Sequence, residues 1–364
     1  MTATMGFCWY FHLPKIASRI EVKDHAVGSL ELLLSLHMDL KRRVLVAPTA
    51  SFLELCERYS PRTLESLRSG IEAGIVEIAL TTAYDPDPFS ISHQRCLELM
   101  EWDAAAKRRL LNVAPRWFMP GNYLWVPGME RHCFALGIEG IVLDSRHYEE
   151  ATSLRVWQAS STTGELQVRR QSTVLGVSET SQLSRVEYSQ GKILSICWRD
   201  WPATQALTFG NLSAIHDFDA EWNVKNEWAA LEVDRQLVII ADDGDRIRGK
   251  SRSGYMTLLS LETNEFDWST HVRSNSGVML HGLPGFIPPG LRAILHDSTD
   301  AQAYWKLLRE VDPRSLSMAQ FEEFLSLHDV FYAFWPDVAR RKYYIEALLD
   351  FVEISMLWKG KVQN

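Results

Sequence analysis

Short apolar runs alternate with amphipathic stretches over the first two-thirds of the chain. Gly6–His12, GFCWYFH, is almost wholly apolar and reads as a buried strand ending at His12-Leu13-Pro14. Over residues 28–40, Leu30, Leu33, Leu34 and Met38 recur at helical spacing, which predicts a helix. Val44–Ala47 reads as a second strand, followed by helices over 51–58 and 62–73, and Gly74 then leads into the strand Ile75–Leu80. A helix over 93–111, a strand near 116–119, a helix over 127–136 stopped by Gly137, and the strand Gly140–Leu143 ending at Asp144 continue the rhythm. Strands separated by helices predict a parallel α/β architecture.

Residues 150–192 break the pattern. They are rich in Ser and Thr and carry alternating stretches such as Leu154-Arg155-Val156-Trp157, so an inserted β-rich excursion is expected there. The strand Ile193–Trp198 resumes the core and runs into Arg199-Asp200-Trp201-Pro202. Helical sequence over 214–230 leads to the apolar run Leu237–Ile240, and a further strand is expected at 277–280. From residue 300 the spacing is helical only, as in Tyr304, Leu307, Leu308 and Val311. The expected organisation is therefore a barrel-type domain over 1–299 with the excursion inside it, then a helical region over 300–364.

The run Leu237–Ile240 opens abruptly into Ala241-Asp242-Asp243-Gly244-Asp245. A hydrophobic strand that ends in carboxylates and a glycine fits a strand terminus carrying chemistry in an α/β barrel. It equally fits an acidic strand-to-helix turn with an Asp as N-cap.

Composition narrows the function classes. The net charge of −8 argues against a general nucleic-acid or anionic-membrane surface. No apolar run is long enough to span a bilayer, and no basic region precedes Gly6–His12, so neither a membrane span nor a signal peptide is expected. Cys8, Cys56, Cys96, Cys133 and Cys197 form no CxxC pair, which predicts buried free thiols and a reducing, cytoplasmic setting. Thirteen tryptophans leave room for some to stack on sugar rings.

Several strand ends fall in an order that resembles glycoside hydrolase family 57. His12-Leu13-Pro14 resembles its first-strand His-Gln-Pro, and Gly74-Ile75-Val76-Glu77-Ile78 its Gly-x-x-Glu segment. Residues 115–144 are similar in layout to its nucleophile segment: an aromatic-Pro strand end, a helix, then Leu-Gly-Ile before the next strand. Arg199-Asp200 with Phe209-Gly210 resembles its Arg-Asp…Gly-Phe segment, and Asp243-Gly244-Asp245 its Asp-Gly-Glu segment. The resemblance implies a distorted, incomplete (β/α)7 barrel with an all-helical C-terminal region, acting on α-glucans by a retaining mechanism; the expected partner is a carbohydrate or a sugar-bearing small molecule. It makes Asp243 the acid/base. The nucleophile position falls at Gly121 or, on the flanking aromatics, at Pro120, and neither has a nucleophilic side chain.

Three readings accommodate that departure. A carboxylate from elsewhere, such as Glu77, Asp144 or Asp85, faces Asp243; or Asn122 orients a substrate amide or a water; or the barrel binds a sugar without cleaving it. His12, Trp117, Gly121, Asn122, Tyr123, Arg199, Asp200 and Trp201 are the expected substrate-binding residues. Each also has an ordinary structural role open to it, as core ring, ion-pair member or helix cap. Asp242-Asp243-Gly244, Arg116–Gly121 and Leu295-His296-Asp297 also resemble motifs of polysaccharide deacetylases in the same barrel superfamily. Those enzymes hold a divalent metal on one Asp and two His, but the His-x-x-x-His pair is absent here. On the leading reading no cofactor or metal is expected.

Overall fold

In a computed structural model of the chain, the residues described are 2–15, 17–148, 184–188, 192–210, 217–232, 237–244, 252–271, 278–280 and 283–288, with isolated positions up to 316. The helical region expected over 300–364 and most of the excursion over 150–192 lie outside them.

Seven parallel strands form the centre: β1 (Thr4–Phe11), β2 (Val44–Pro48), β3 (Val76–Leu80), β4 (Trp117–Phe118), β5 (Gly140–Asp144), β7 (Lys192–Arg199) and β8 (Leu237–Asp243). They lie side by side in the order β7-β5-β4-β3-β2-β1-β8. The hairpin strand β6 (Ser184–Tyr188) runs antiparallel to β7, and β10 (Val278–Leu280) pairs with β6. The short β9 (Asn264–Glu265) pairs with the start of β1.

The sheet is rolled. One apolar cluster collects Cys8 and Tyr10 from β1, Ala47 from β2, Ala79 from β3, Trp117 from β4, Val142 from β5, Cys197 from β7 and Ala241 from β8. Every one of the seven strands contributes, including the two at the ends of the order, which a flat sheet would hold far apart. Across the seam between those end strands, the Asp200 amide donates to the Ile239 carbonyl at 2.9 Å. Phe266 and Trp268 close the interior at the end where β9 meets β1. This is the mixed α/β class expected from the alternation of strands and helices.

Helices cover the outside: α1 (Arg19–His25), α2 (Leu32–Leu40), α3 (Ala50–Tyr59), α4 (Pro61–Glu72), α5 (His93–Leu111), α6 (Met129–Ala135), α7 (Trp201–Thr204), α8 (Asp217–Glu232), α9 (Arg252–Leu259) and α10 (Trp268–His271). One helical start differs from the expectation. The chain turns helical at Arg19, not near residue 28, because Ser18 and Glu21 form a reciprocal capping box. A π-helical turn, Ala26–Glu31, then joins α1 to α2. No helix among the described residues is long and apolar enough to cross a membrane.

Candidate active site

Side chains alternate along each strand, so the inward row of β8 runs Leu237, Ile239, Ala241 and then Asp243. Asp243 pairs in register with Tyr10 of β1, which is itself on the inward row. Both stand at the C-terminal end of the parallel strands, where barrel enzymes place their chemistry. His12 follows β1 at the same end, stacked against Tyr10 with ring centroids 6.3 Å apart. The Nδ1 atom of His12 lies 3.0 Å from Thr49 Oγ1, and Thr49 caps α3 by accepting from the Phe52 amide. Gly244 fits for a steric reason. A Cβ there would meet the Phe11 ring, with Cε2 only 2.5 Å away.

A second group of residues comes from β5 and β7. Arg199 is buried and donates from Nη2 to Asp144 Oδ2 at 2.7 Å and from Nη1 to the Ala241 carbonyl at 3.1 Å. Its guanidinium lies 3.9 Å from the Tyr123 ring centroid and 4.4 Å from that of Trp201. Arg146 grips the same carboxylate from the other side, Nε to Oδ1 and Nη2 to Oδ2, each at 2.8 Å. Burial alone would raise the pKa of Asp144, but the hydrogen bonds from Arg146 and the charge of both arginines outweigh it and hold it low. Asp144 is thus at the mouth, yet both oxygens are engaged by cations, which suits an anchor better than a nucleophile. Asp242 lies 3.9 Å from Arg199 Nη1. Asp200 caps α7 by accepting from the Ala203 amide at 2.9 Å. Half-buried Trp201 carries Arg146 at 4.0 Å as well as Arg199.

After β4 the chain makes a single helical turn, Gly121–Tyr123. Asn122 and Tyr123 both hold positive φ, 49° and 57°. Opposite them, Asp85 in the loop after β3 has φ 48°. Among the described residues, the other positive-φ non-glycine residues, Lys41 and Asn112, are ordinary left-handed helix caps, so the remaining backbone strain gathers at this contact. A Cβ built on Gly121 would fall on Asp85 Oδ1, 2.5 Å from Asp85 Cγ and 2.8 Å from Tyr10 Oη. Asn122 Nδ2 donates to Asp85 Oδ2 at 2.8 Å. The space of the missing side chain is therefore filled by a carboxylate from the neighbouring loop.

Two expected site residues stand elsewhere. Glu77 is near the start of β3, and the charges that act on it are Arg116, Asp267, Arg43 and Glu139, which all precede strands or adjoin β9. Burial raises its pKa there, at the end of the barrel opposite Asp243. Trp117 is fully buried in the closed end, its Nε1 donating to the Trp268 carbonyl at 3.0 Å with the two rings edge to face. Its place in β4, not its aromatic character, removes it from the mouth.

Sequence reasoning missed a supporting pair on α5. Asp103 accepts from the Ala50 amide at 2.7 Å and the Thr81 amide at 2.8 Å, and ion-pairs with Lys107 with both side chains fully buried. The pair ties the C-terminal ends of β2 and β3, and with them the loop that carries Asp85. Its signal was two opposite charges four apart within the apolar row Leu99, Met100, Ala106 and Leu110. Among the described residues no three His, Cys, Asp or Glu side chains gather as a metal site; His296 of the deacetylase-like Leu295-His296-Asp297 lies outside those residues.

A rolled parallel sheet with helices outside, and carboxylates, rings and a buried arginine at the strand C-termini, has the layout of an α/β-barrel enzyme, whose chemistry sits at that end. The sequence profile described as glycosyl hydrolase family 57 matches residues 12–259, so the chain belongs to that family. Comparison with curated proteins gives no match. Among solved structures, the family-57-type branching enzyme of Pyrococcus horikoshii superposes with a TM-score of 0.71 at 10% identity, over 98% of this chain and 88% of that one. The branching enzyme of Thermococcus kodakaraensis, solved in complex with glucose, gives 0.69 at 10% identity over 98% and 89%. The 4-alpha-glucanotransferase of Thermococcus litoralis gives 0.63 at 16% identity; this chain covers 46% of its length, less than half. At such identities the superpositions speak to the fold.

Proposed function

We propose that the protein cleaves or transfers α-linked glucan, with Asp243 as general acid and base. The observation that carries this is the position of Asp243: at the C-terminal end of β8, on the inward row, in register with Tyr10, whose ring stacks on His12. Membership of a glycosyl hydrolase family supports it, as do structural neighbours named for branching and glucan transfer. In this reading Asp243 protonates the glycosidic oxygen as the leaving sugar departs, then takes a proton from the water or sugar hydroxyl that replaces it. Tyr123, Trp201 and His12 line the approach of a neutral sugar, and Arg199 and Asp200 hold the mouth in shape. The chemistry asks for no cofactor.

The test is turnover of maltooligosaccharides by the wild type and by Asp243→Asn, with glucan binding measured by calorimetry on both. Loss of a general acid should lower kcat by about 10²–10⁴-fold and leave binding within a few-fold. Full activity in Asp243→Asn would remove that residue from the chemistry. The absent side chain at Gly121 favours a second reading, a barrel that binds sugar without cleaving it. Tight binding with no turnover in the wild type would establish that one instead.

A further inference from the structure

We propose that Asp85 supplies the nucleophilic carboxylate that Gly121 lacks. The assignment rests on the glycosyl-transfer reading above and adds to it the second acid. Three observations converge. The carboxylate of Asp85 occupies the position a side chain at 121 would take, so the group needed there arrives from the β3 loop instead of from β4. It stands against the Tyr10 hydroxyl, and Tyr10 is the in-register neighbour of Asp243, so both carboxyls border the same tyrosine at the same end of the barrel. Finally, the arrangement is expensive. Asp85 is buried and itself holds left-handed backbone, as do two non-glycine residues facing it, Asn122 and Tyr123. An apolar residue would fill the gap without the desolvation cost of a carboxylate. Strain and a buried acid held at one point mark a working site. Asn122 fixes the carboxylate by donating to Oδ2, and Oδ1 stands where a Cβ on Gly121 would be.

The step balances as follows. Asp85 Oδ1 attacks the anomeric carbon and forms a glycosyl ester while the glycosidic C–O bond breaks; the bonding pair leaves with the glycosidic oxygen, which takes the proton of Asp243. Water or an acceptor hydroxyl then attacks the same carbon and gives its proton to Asp243, and the Asp85 carboxylate departs unchanged. Retention by this route needs the two carboxyl groups roughly 5–5.5 Å apart across the sugar.

The experiment uses the full chain with 5-fluoro-α-D-glucopyranosyl fluoride, which traps a glycosyl ester, followed by peptide mass spectrometry. A fluoroglucosyl adduct on the peptide holding Asp85 is expected. In parallel, Asp85→Asn, which keeps an acceptor for Asn122, should lose about 10³-fold or more on α-glucosyl fluoride and on maltooligosaccharides alike. Asp243→Asn should lose far less on the fluoride, whose departure needs no proton. Gly121→Ala serves as a second variant, since its Cβ displaces the carboxylate while Asp85 stays in place, and it should lose activity on both substrates. An adduct on another carboxylate, or Asp85→Asn within tenfold of an active wild type, would overturn the assignment alone. A wild type that turns over neither substrate would overturn the glycosyl-transfer reading, and this assignment with it.

Discussion

Gly244 follows the proposed acid/base directly, and its neighbour shows how tightly that strand end is held. Phe11, the last residue of β1, lays its ring on the glycine and also packs against Phe52 of α3 with ring centroids 5.6 Å apart. Gly244→Ala would push a methyl group into that buried ring. Overpacking of this kind costs about 1–3 kcal/mol. The expected outcome is a lower thermal midpoint together with reduced kcat, because the β8 terminus must move and Asp243 moves with it. An alanine variant with wild-type midpoint and kcat would show that the ring yields freely. Asp144 teaches a related lesson at the opposite wall. Its oxygens are held by Arg146 and Arg199, so it shapes the mouth by fixing a cation against Tyr123 and Trp201.

The element that most affects the site without touching it is α5. Lys107 and Asp103 are buried one turn apart, and burial pushes the Lys107 pKa down against the pull of Asp103. Lys107→Met would leave Asp103 charged and buried with only the Ala50 and Thr81 amides, and breaking a buried pair from one side costs about 3–5 kcal/mol. Urea unfolding would measure the loss; a change below about 1 kcal/mol would mean that the amides alone suffice. Elements of this sort were legible only in outline. The 93–111 helix was readable because its apolar spacing is long and regular, and α4 because Pro61 sits at its first position. Helix α1 was hidden because its capping box precedes a short segment with a single buried residue, Val22. His12 and Asp243 stand out in the sequence because each follows an apolar run, and the structure puts both at the C-terminal end of the parallel strands. Glu77 and Trp117 stand at the other end, because neither a motif nor an aromatic side chain says which end of a strand a residue occupies. Asp103 and Lys107 were passed over because charges on a helix are normally solvated. The Asp85–Gly121 contact joins two loops through three-dimensional proximity, and no spacing along the chain encodes it.

At the scale of the whole molecule the barrel divides its ionisable groups, and that division predicts how stability follows pH. Two histidines are held neutral by burial, His37 on α2 and His147 just after β5, where the nearby Asp144 only partly offsets it. His37 of α2 donates from Nδ1 to the Arg42 carbonyl at 2.7 Å and accepts at Nε2 from the Tyr255 hydroxyl at 2.8 Å, a pattern that only the neutral ring can satisfy with the hydroxyl donating. His147 bonds the Pro284 carbonyl through Nε2 at 2.8 Å and lies flat on Phe286 at 4.9 Å. Burial pushes each down to about 4 from 6.5. Between those values the unfolded chain binds a proton at each site that the folded protein refuses, so stability is complete above pH 6.5 and falls as the pH drops toward 4. Each histidine contributes about 3 kcal/mol of that loss by pH 4. The carboxylates act in a lower window. Asp144 and Asp267 have folded pKa values below 3.8, the latter about 2, so their contribution is intact near pH 5 and fades only as the pH falls through the folded values. Unfolding free energies from urea titrations at pH 7, 5.5 and 4.5 should therefore fall steadily in the wild type. In His37→Gln the fall should be shallower over the same range, because one of the two proton-refusing sites is gone, whatever stability the variant loses at pH 7. Equal slopes for the two proteins would show that His37 takes up its proton in the folded state, and would assign the acid sensitivity over this range to His147.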